Sequence, residues 1–365
     1  MMNAPGKRNQ RSSHGAGWDL DSFLDCCTSC GACAEACTLL RTCGAPDIII
    51  SRRDENVFRC MNCGACSSAC PSGCNPADAL LQAKYRLLST MQVSERVSKT
   101  VLTARRFVQW GHAFPFAYYT RAETVFWPGC SLTAMSPKVV RKTQQLLEKK
   151  LGKKVGIALD CCSDPAYQTG DLDTVRDASL RIMSMLERKE ITSVIAACTN
   201  CIKVFSKYLP GVRVWHVLDI LPDATVQPLA KETCYLHHPC PTYRFNAVQG
   251  RAKFLLGQLG ATVIEQTGPR CCGFGGNMHA LAPELADACI SEIMVAASDT
   301  PIVTYCMACK DRFLEKGGRA YHILELLVSA TPVNQSLSST HGWFNRLLVM
   351  LRMRLDGRGE KVSSS

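Results

Sequence analysis

The 365-residue sequence is poor in aromatic side chains, at 7 %, and has no long apolar run. Its best candidate for a membrane span, Val101 to Tyr119, is broken by Arg105-Arg106, whereas a transmembrane helix needs about 18 or more predominantly apolar residues. Acidic residues are in deficit: 31 Asp and Glu against 42 Lys and Arg give a formal net charge of +11. Such an excess suits nucleic acid, an anionic surface or an acidic partner. Basic runs interleaved with aromatics, as a nucleic-acid surface requires, are missing. Residues Met1 to Gly17 carry Lys7, Arg8 and Arg11 with no apolar stretch behind them, so no export signal is expected. A cytoplasmic setting with reduced thiols is the corresponding expectation, and it disfavours a disulfide scaffold.

What the sequence has in excess is cysteine, at 23 residues. Ten of these form one pattern written twice. It reads Cys130, Cys161-Cys162, Cys198-x2-Cys201, and again Cys240, Cys271-Cys272, Cys306-x2-Cys309. A return in register after about 110 residues indicates the duplication of a whole domain. Five sulfurs exceed the four of a tetrahedral zinc site, and adjacent cysteines rarely reach one tetrahedron.

Eight more cysteines lie upstream as Cys27-x2-Cys30-x2-Cys33-x3-Cys37 and Cys60-x2-Cys63-x2-Cys66-x3-Cys70-Pro71. This is the spacing by which two-cluster ferredoxins hold a pair of [4Fe–4S] cubanes, three thiolates on one loop and the fourth from the other run. The expected ligands are Cys27, Cys30, Cys33 and Cys70 for cluster one. Cys60, Cys63, Cys66 and Cys37 are expected for cluster two. Paired zinc sites are the competing reading and fit x2-x2-x3 spacing poorly. Thr38 follows Cys37 where proline is frequent. Cys26, Cys43 and Cys74 lie out of register and read as packing residues, as do Cys234 and Cys289 further on.

Around the first runs the sequence favours helices, notably Ala77 to Thr90 behind Asn75-Pro76 and then Val93 to Gln109, with a strand hint only at Asp47 to Ser51. In each repeat short apolar strands alternate with helices. The strands are Thr124–Trp127, Val155–Leu159, Ser193–Ala196 and Val214–His216, then Thr233–Leu236, Ala261–Glu265, Ile302–Thr304 and Ala320–His322. Alternation of this kind predicts α/β layers with largely parallel strands and ligands at their carboxyl ends.

Residues 124–327 resemble the duplicated cysteine-rich (CCG) domains of the heterodisulfide reductase catalytic subunit. The motifs that carry the resemblance are C-x30-CC-x35-C-x2-C and C-x30-CC-x33-C-x2-C. Residues 26–90 resemble the helical ferredoxin subunit of the same enzymes, and the fusion order is similar to the D-type proteins. The resemblance implies an α+β multidomain chain, a helical two-cluster [4Fe–4S] ferredoxin domain followed by two α/β CCG domains. It also implies a non-cubane [4Fe–4S] cluster in each repeat, held by Cys130, Cys161, Cys162, Cys198 and Cys201, and by Cys240, Cys271, Cys272, Cys306 and Cys309. In the family such clusters bind and split a disulfide. Ser163 departs from the family glycine, kept at Gly273, and a side chain there is expected to crowd the approach to the first site. Gly273-Phe274-Gly275-Gly276 lacks the strand and helix context of a dinucleotide fingerprint, so no flavin or nicotinamide site is expected.

The expected organisation is a disordered start (residues 1–20), a ferredoxin domain (21–90) and a connector (91–121). A first and a second CCG domain (122–230 and 231–330) follow, then a linker with a basic amphipathic tail helix (331–365). Connector aromatics Phe107, Trp110, Phe114, Phe116, Tyr118 and Tyr119 are expected to pack the domains together. The tail's apolar face, Trp343, Phe344, Leu347, Leu348, Leu351 and Leu355, beside Arg346, Arg352 and Arg358, suits an anionic membrane, a partner protein or its own domain. His216 and His322 occupy matching places and read as packing residues; His237-His238 precede Cys240 and suit a proton or supporting role. The function expected is that of an iron–sulfur oxidoreductase subunit on the cytoplasmic side. Electrons from a flavoprotein or similar partner would cross two cubanes and reduce a disulfide-like or quinone-type substrate at the paired sites. A non-catalytic relay is the alternative, and a zinc-bound scaffold or nucleic-acid protein the more distant one.

Overall fold

The computed structural model describes residues 20–221, 232–244, 246–336 and 339–359. The start expected to be disordered, through residue 19, lies outside the described residues.

Two sheets organise the chain. The first has the order β1-β3-β2-β4-β5, built from β1 (Tyr118–Tyr119), β2 (Thr124–Trp127), β3 (Gly156–Leu159), β4 (Ser193–Ala196) and β5 (Arg213–His216). The second repeats it as β7-β6-β8-β9, from β6 (Thr233–His237), β7 (Thr262–Glu265), β8 (Ile302–Thr304) and β9 (Ala320–His322). All ladders are parallel except β1, which adds antiparallel to β3 with Tyr118 opposite Leu159. The middle strands of the first sheet are fully buried, as their unbroken apolar runs require when helices cover both faces. One continuous core joins the repeats, with Phe126, Leu147 and Ile157 of the first packed in the same cluster as Leu236, Leu255 and Ile323 of the second.

From Leu20 onward the described region before the sheets contains helices and no strand. Asn75 caps the helix Pro76–Ser89 by accepting a hydrogen bond from the Asp78 amide. The strand hinted at Asp47 to Ser51 is instead a helix, Pro46–Ser51, which starts on a proline and buries Ile49 and Ile50. Its three consecutive isoleucines favour either state, and burial against the neighbouring helix decides it. Cys26 and Cys74, expected as packing residues, are joined as a disulfide, with Cα atoms 5.9 Å apart. Sequence spacing held no sign of this pairing, which depends on how the helix Leu20–Cys26 lies beside the loop before Asn75.

The connector holds an 18-residue helix, Glu95–His112, capped by Ser94. Phe107 packs as expected against the cluster that joins Leu81 of the upstream helix to Tyr167 of the first repeat, and Phe107, Trp110 and Phe116 also surround Trp343 of the tail helix Ser339–Gly359. That helix docks on its own chain through Trp343, Arg346, Val349 and Met350. The expected apolar face is therefore split, with Phe344, Leu351 and Leu355 left exposed. Arg346 can take an inward place because its guanidinium lies 4.2 Å from the Trp343 ring centroid and 5.6 Å from that of Phe116. The side chain of Arg358 lies outside the described residues. Among the described residues no helix is long and apolar enough to cross a membrane.

The turns after β3 and β7 are built alike. Ser163 (φ 66°) and Gly273 (φ 71°) both adopt the left-handed conformation. The difference lies in what surrounds them. A methyl group at Gly273 would overlap the Ala286 backbone carbonyl, whereas the Ser163 hydroxyl is buried and donates to the Cys162 carbonyl. Ala at 273 is expected to cost more than about 2 kcal/mol through overlap and left-handed strain. Ser163→Gly should stay within about 1 kcal/mol of the parent. Thermal unfolding of both variants checks the contrast, and equal losses would contradict it.

β5 and β9 each end in a histidine that caps the next short helix, His216 Nδ1 accepting from the Leu218 amide and His322 Nδ1 from that of Leu324, both at 3.2 Å. Burial pushes both imidazoles down to about 3. Below the ordinary histidine value the unfolded chain therefore binds protons that the folded chain refuses, and stability falls as pH falls toward 3. Each histidine contributes a slope of about 1.4 kcal/mol per pH unit in that window. Urea midpoints measured between pH 7 and pH 5 should drop, and His216→Asn, which keeps an acceptor for the cap, should flatten the slope.

Candidate functional site

Every array cysteine follows a strand. Cys130 comes after β2, Cys161-Cys162 after β3, and Cys198 caps the helix Thr199–Tyr208 after β4. In the second repeat Cys240, Cys271-Cys272 and Cys306 stand at the corresponding ends of β6, β7 and β8. Parallel strands put their carboxyl ends on one edge, and a ligand crevice opens there where the strand order reverses. The two edges face each other. All ten sulfur-bearing residues line a single cavity of about 660 Å³, roofed in part by Arg96, Thr103 and Phe107 of the helix Glu95–His112. Ser163, expected to crowd the first site, is not among the lining residues; its hydroxyl points back to its own backbone.

Within each array the thiols form proton-sharing groups. The hydrogen bond from Cys161 lowers Cys130 to about 6 against the effect of burial, with the Arg346 guanidinium assisting. Cys161 is correspondingly pushed up. Cys201 bonds both Cys162 and Cys198; its own thiol is raised and that of Cys198 is lowered. In the second array Cys272 lies 3.2 Å from Cys309 and is held well below the usual thiol range, first by that hydrogen bond and then by His237. Cys240 contacts both Cys271 and Cys63.

The upstream cysteines gather in two places. Cys27, Cys30, Cys33 and Cys70 line one small cavity beside Phe23 and Pro76. Cys66 is pushed well up by burial and by the charges of Cys60, Cys63 and Cys37. Cys37 is raised in the same way, by burial and by Cys63, and it also feels Cys271. The second upstream group and the second array are therefore neighbours. Thiolates crowded into a low-dielectric interior repel one another and destabilise their own ionised forms. A multivalent cation among them removes that penalty, so the donor chemistry fits iron.

Basic groups surround this sulfur. The Lys84 ammonium is fully buried and donates to three oxygens: Cys60 O and Gln168 O at 2.6 Å, and Asn62 Oδ1 at 3.3 Å. Burial lowers it to about 8, with the Cys60 charge opposing. Lys203, also buried, pairs with Asp164 at 2.8 Å. Beside the first array, Asp160 binds His112 at 2.6 Å, Tyr119 at 2.7 Å and Arg181 at 2.6 Å. Sequence reading missed this cluster because its members are dispersed over about 70 positions and none belongs to a recognisable spacing. It also missed Lys84, a lysine on a helix whose periodicity alone marks it as inward-facing.

The histidines separate by role. His238 is buried and satisfied, with Nδ1 2.9 Å from the Tyr305 hydroxyl and Nε2 3.1 Å from Glu265. His322 lines the cavity as a helix cap. His237 alone of these groups closely with array sulfurs, its ring nitrogen and the Cys272 and Cys309 sulfurs lying within 4.8 Å of one another. Cys234 and Cys289 are buried, outside both arrays.

Comparison with known proteins agrees with the duplication. Residues 124–206 and 234–313 each match the cysteine-rich domain family CCG. One component of the CoM/CoB fumarate reductase of Methanothermobacter marburgensis is 27 % identical over 332 residues, covering 84 % of this chain and 62 % of that protein. The D-type component of the dihydromethanophenazine:CoB–CoM heterodisulfide reductase of Methanosarcina mazei is 26 % identical over 223 residues, 53 % of this chain and 54 % of its own length. A lactate utilization protein of Bacillus cytotoxicus is 25 % identical over 233 residues, 55 % of this chain and 96 % of its own. The chain spans less than two-thirds of the length of the first two relatives. It carries the CCG cysteine-rich domain twice, and it is an iron–sulfur protein similar to the D-type component of heterodisulfide reductase.

Proposed function

We propose that this chain is the iron–sulfur subunit of a redox complex that reduces a disulfide-like substrate, or oxidises the matching dithiol, in the cavity between its two arrays. The observation that carries the reading is that all ten array cysteines line one cavity of about 660 Å³. A relay needs clusters in sequence but no shared chamber, whereas scission of a disulfide releases two sulfurs that must each be received. Two facing arrays supply two receiving sites. The names of the relatives, which include CoB–CoM heterodisulfide reductase, support the same substrate class.

In this reading Cys27, Cys30, Cys33 and Cys70 hold one cubane, and Cys60, Cys63, Cys66 and Cys37 the other. The two arrays hold a [4Fe–4S] group each. When bound, these groups supply one-electron steps and iron sites able to accept sulfur. Cys30 is exposed, which supports the approach of a donor protein on that side of the ferredoxin region. Cys63 touches Cys240, which puts the inner upstream group directly against the second array. Disulfide reduction consumes two electrons and two protons per pair of thiols released. The Lys84 ammonium and the Arg346 guanidinium hold positive charge beside the sulfur and stabilise its anionic form. The helix Glu95–His112 closes one side of the chamber and limits water there.

Anaerobic purification followed by iron and sulfide counts and EPR tests this reading. About sixteen irons are expected for four such clusters, and about eight would confine them to the upstream region and sink the proposal. Cys272→Ala should abolish disulfide turnover while the cubane signals persist. Loss of both together would assign Cys272 a structural role instead.

A further inference from the structure

The two arrays are not chemically equivalent, and the difference lies in the last residue of the strand that opens each. In the first repeat this is Trp127, the end of β2, and in the second it is His237, the end of β6. They occupy the same packing slot. Trp127 meets Phe205 edge to face, with ring centroids 4.8 Å apart at 86°, and His237 meets Phe313 at 5.1 Å and 84°. Phe205 and Phe313 themselves stand at matching places behind Cys201 and Cys309. A tryptophan offers only an N–H donor, whereas imidazole offers a lone pair.

The neighbours of His237 determine which nitrogen carries it. Nδ1 lies 2.6 Å from Gln266 Oε1. The amide nitrogen of Gln266 donates to the Gly268 carbonyl at 3.0 Å and to the Tyr243 hydroxyl at 2.9 Å. A carbonyl accepts and never donates, so the amide has one orientation. Its oxygen faces the ring, and Nδ1 bears the proton. The lone pair of the neutral imidazole is therefore on Nε2. That nitrogen is buried and has no oxygen or nitrogen partner; the Cys272 thiol is the group this imidazole meets, and its ring nitrogen lies with Cys272 Sγ and Cys309 Sγ, all within 4.8 Å of one another. A histidine that gives its other N–H to an amide oxygen and aims a bare nitrogen between thiols has the arrangement of a metal ligand with its supporting hydrogen bond.

We propose that His237 Nε2 is a sixth protein donor at the second array and ligates an iron held there by Cys272 and Cys309, while the first array is ligated by sulfur alone. The proposal rests on the reading that iron occupies the arrays. Its consequence is an ordering of the two sites. Imidazole is neutral where thiolate is anionic, and histidine ligation raises the reduction potential of an iron–sulfur group. The second site is then the first to be reduced, and it is also the one that abuts Cys63.

The test uses the anaerobically purified full chain grown on ¹⁵N-histidine, with an iron count and pulsed EPR of the array signals. A nitrogen coupling that changes from the ¹⁴N to the ¹⁵N pattern on labelling, and disappears in His237→Phe at unchanged iron content, is the expected result. Phenylalanine keeps the edge-to-face packing and removes the donor. A full iron count with no histidine-derived coupling overturns the assignment, as does a coupling that survives His237→Phe. An iron count of about eight overturns the cluster reading of the arrays and this proposal with it. If His237→Phe fails to fold, His237→Leu at unchanged iron content takes its place, because His279 and His322 also line the cavity and only a variant at 237 assigns the coupling.

Discussion

The backbone carbonyl of Gln168 is the point at which three parts of the chain are tied. Lys84 Nζ donates to it at 2.6 Å from the helix behind the upstream cysteines, and Asn277 Nδ2 at 2.6 Å from the second repeat. Asn62 Nδ2 reaches it at 3.5 Å, and the Tyr167 carbonyl at 3.3 Å, from between Cys60 and Cys63. Gln168 itself belongs to the first repeat, in the short helix Asp164–Thr169 that follows Cys161-Cys162. All these groups are buried. A buried ammonium or amide left without its acceptor costs several kcal/mol, about 2 or more for the amide alone. The three cysteine-bearing segments are thus held at fixed separations by polar groups that have no alternative partner in water. Met61 tightens the same junction, because its side chain fills the space beside Gly275 that any side chain at that position would need.

Much of this was legible in the sequence, and the reason is local. Strands β2, β4 and β8 coincide with the apolar runs Thr124–Trp127, Ser193–Ala196 and Ile302–Thr304, since residues buried on both faces leave an unbroken signature. The helices Pro137–Leu151 and Pro283–Ala297 begin on the proline that marks the first turn. The duplication fixed which cysteines correspond. What could not be read was long-range. That the two arrays face one cavity depends on how the sheets pack through a shared core, and no spacing encodes it. The Cys26–Cys74 disulfide and the inward turn of Arg346 are of the same kind.

The asymmetry between the repeats was visible as Ser163 against Gly273, but its meaning differs from the expected one. Both residues hold the same left-handed turn. Only the second is walled in by backbone, from Ala286, so the glycine is required where space forbids a side chain and is dispensable where a hydroxyl can turn back on itself. Access to the cavity is not what the substitution changes. The contrast that reaches the sulfur is Trp127 against His237, two different side chains in an otherwise matching packing slot.

The formal charge of +11 finds part of its explanation inside the protein. Lys84, Lys203, Lys310, Arg312 and Arg346 are all buried. Lys310 and Arg312 are matched by carboxylates, with Lys310 bound to both oxygens of a fully buried Glu325 at 2.7 Å. Lys84 and Arg346 are different, because cysteine sulfur is a main part of the negative charge they face: Cys60, then Asp164 and Cys63, for the first, and Cys130 for the second. Positive charge placed against thiolate in a poorly screened interior acts over several ångströms, so these two side chains offset the repulsion that gathering the sulfurs creates. Arg346 comes from the tail helix, held in place by Trp343 and the aromatics of the helix Glu95–His112 and its following loop. The tail is therefore a working part of the first array, and removing it would strip a guanidinium from beside Cys130 as well as a hydrophobic face from the core. An exposed apolar strip on the far side of the same helix is then a surface whose position is tied to the first array.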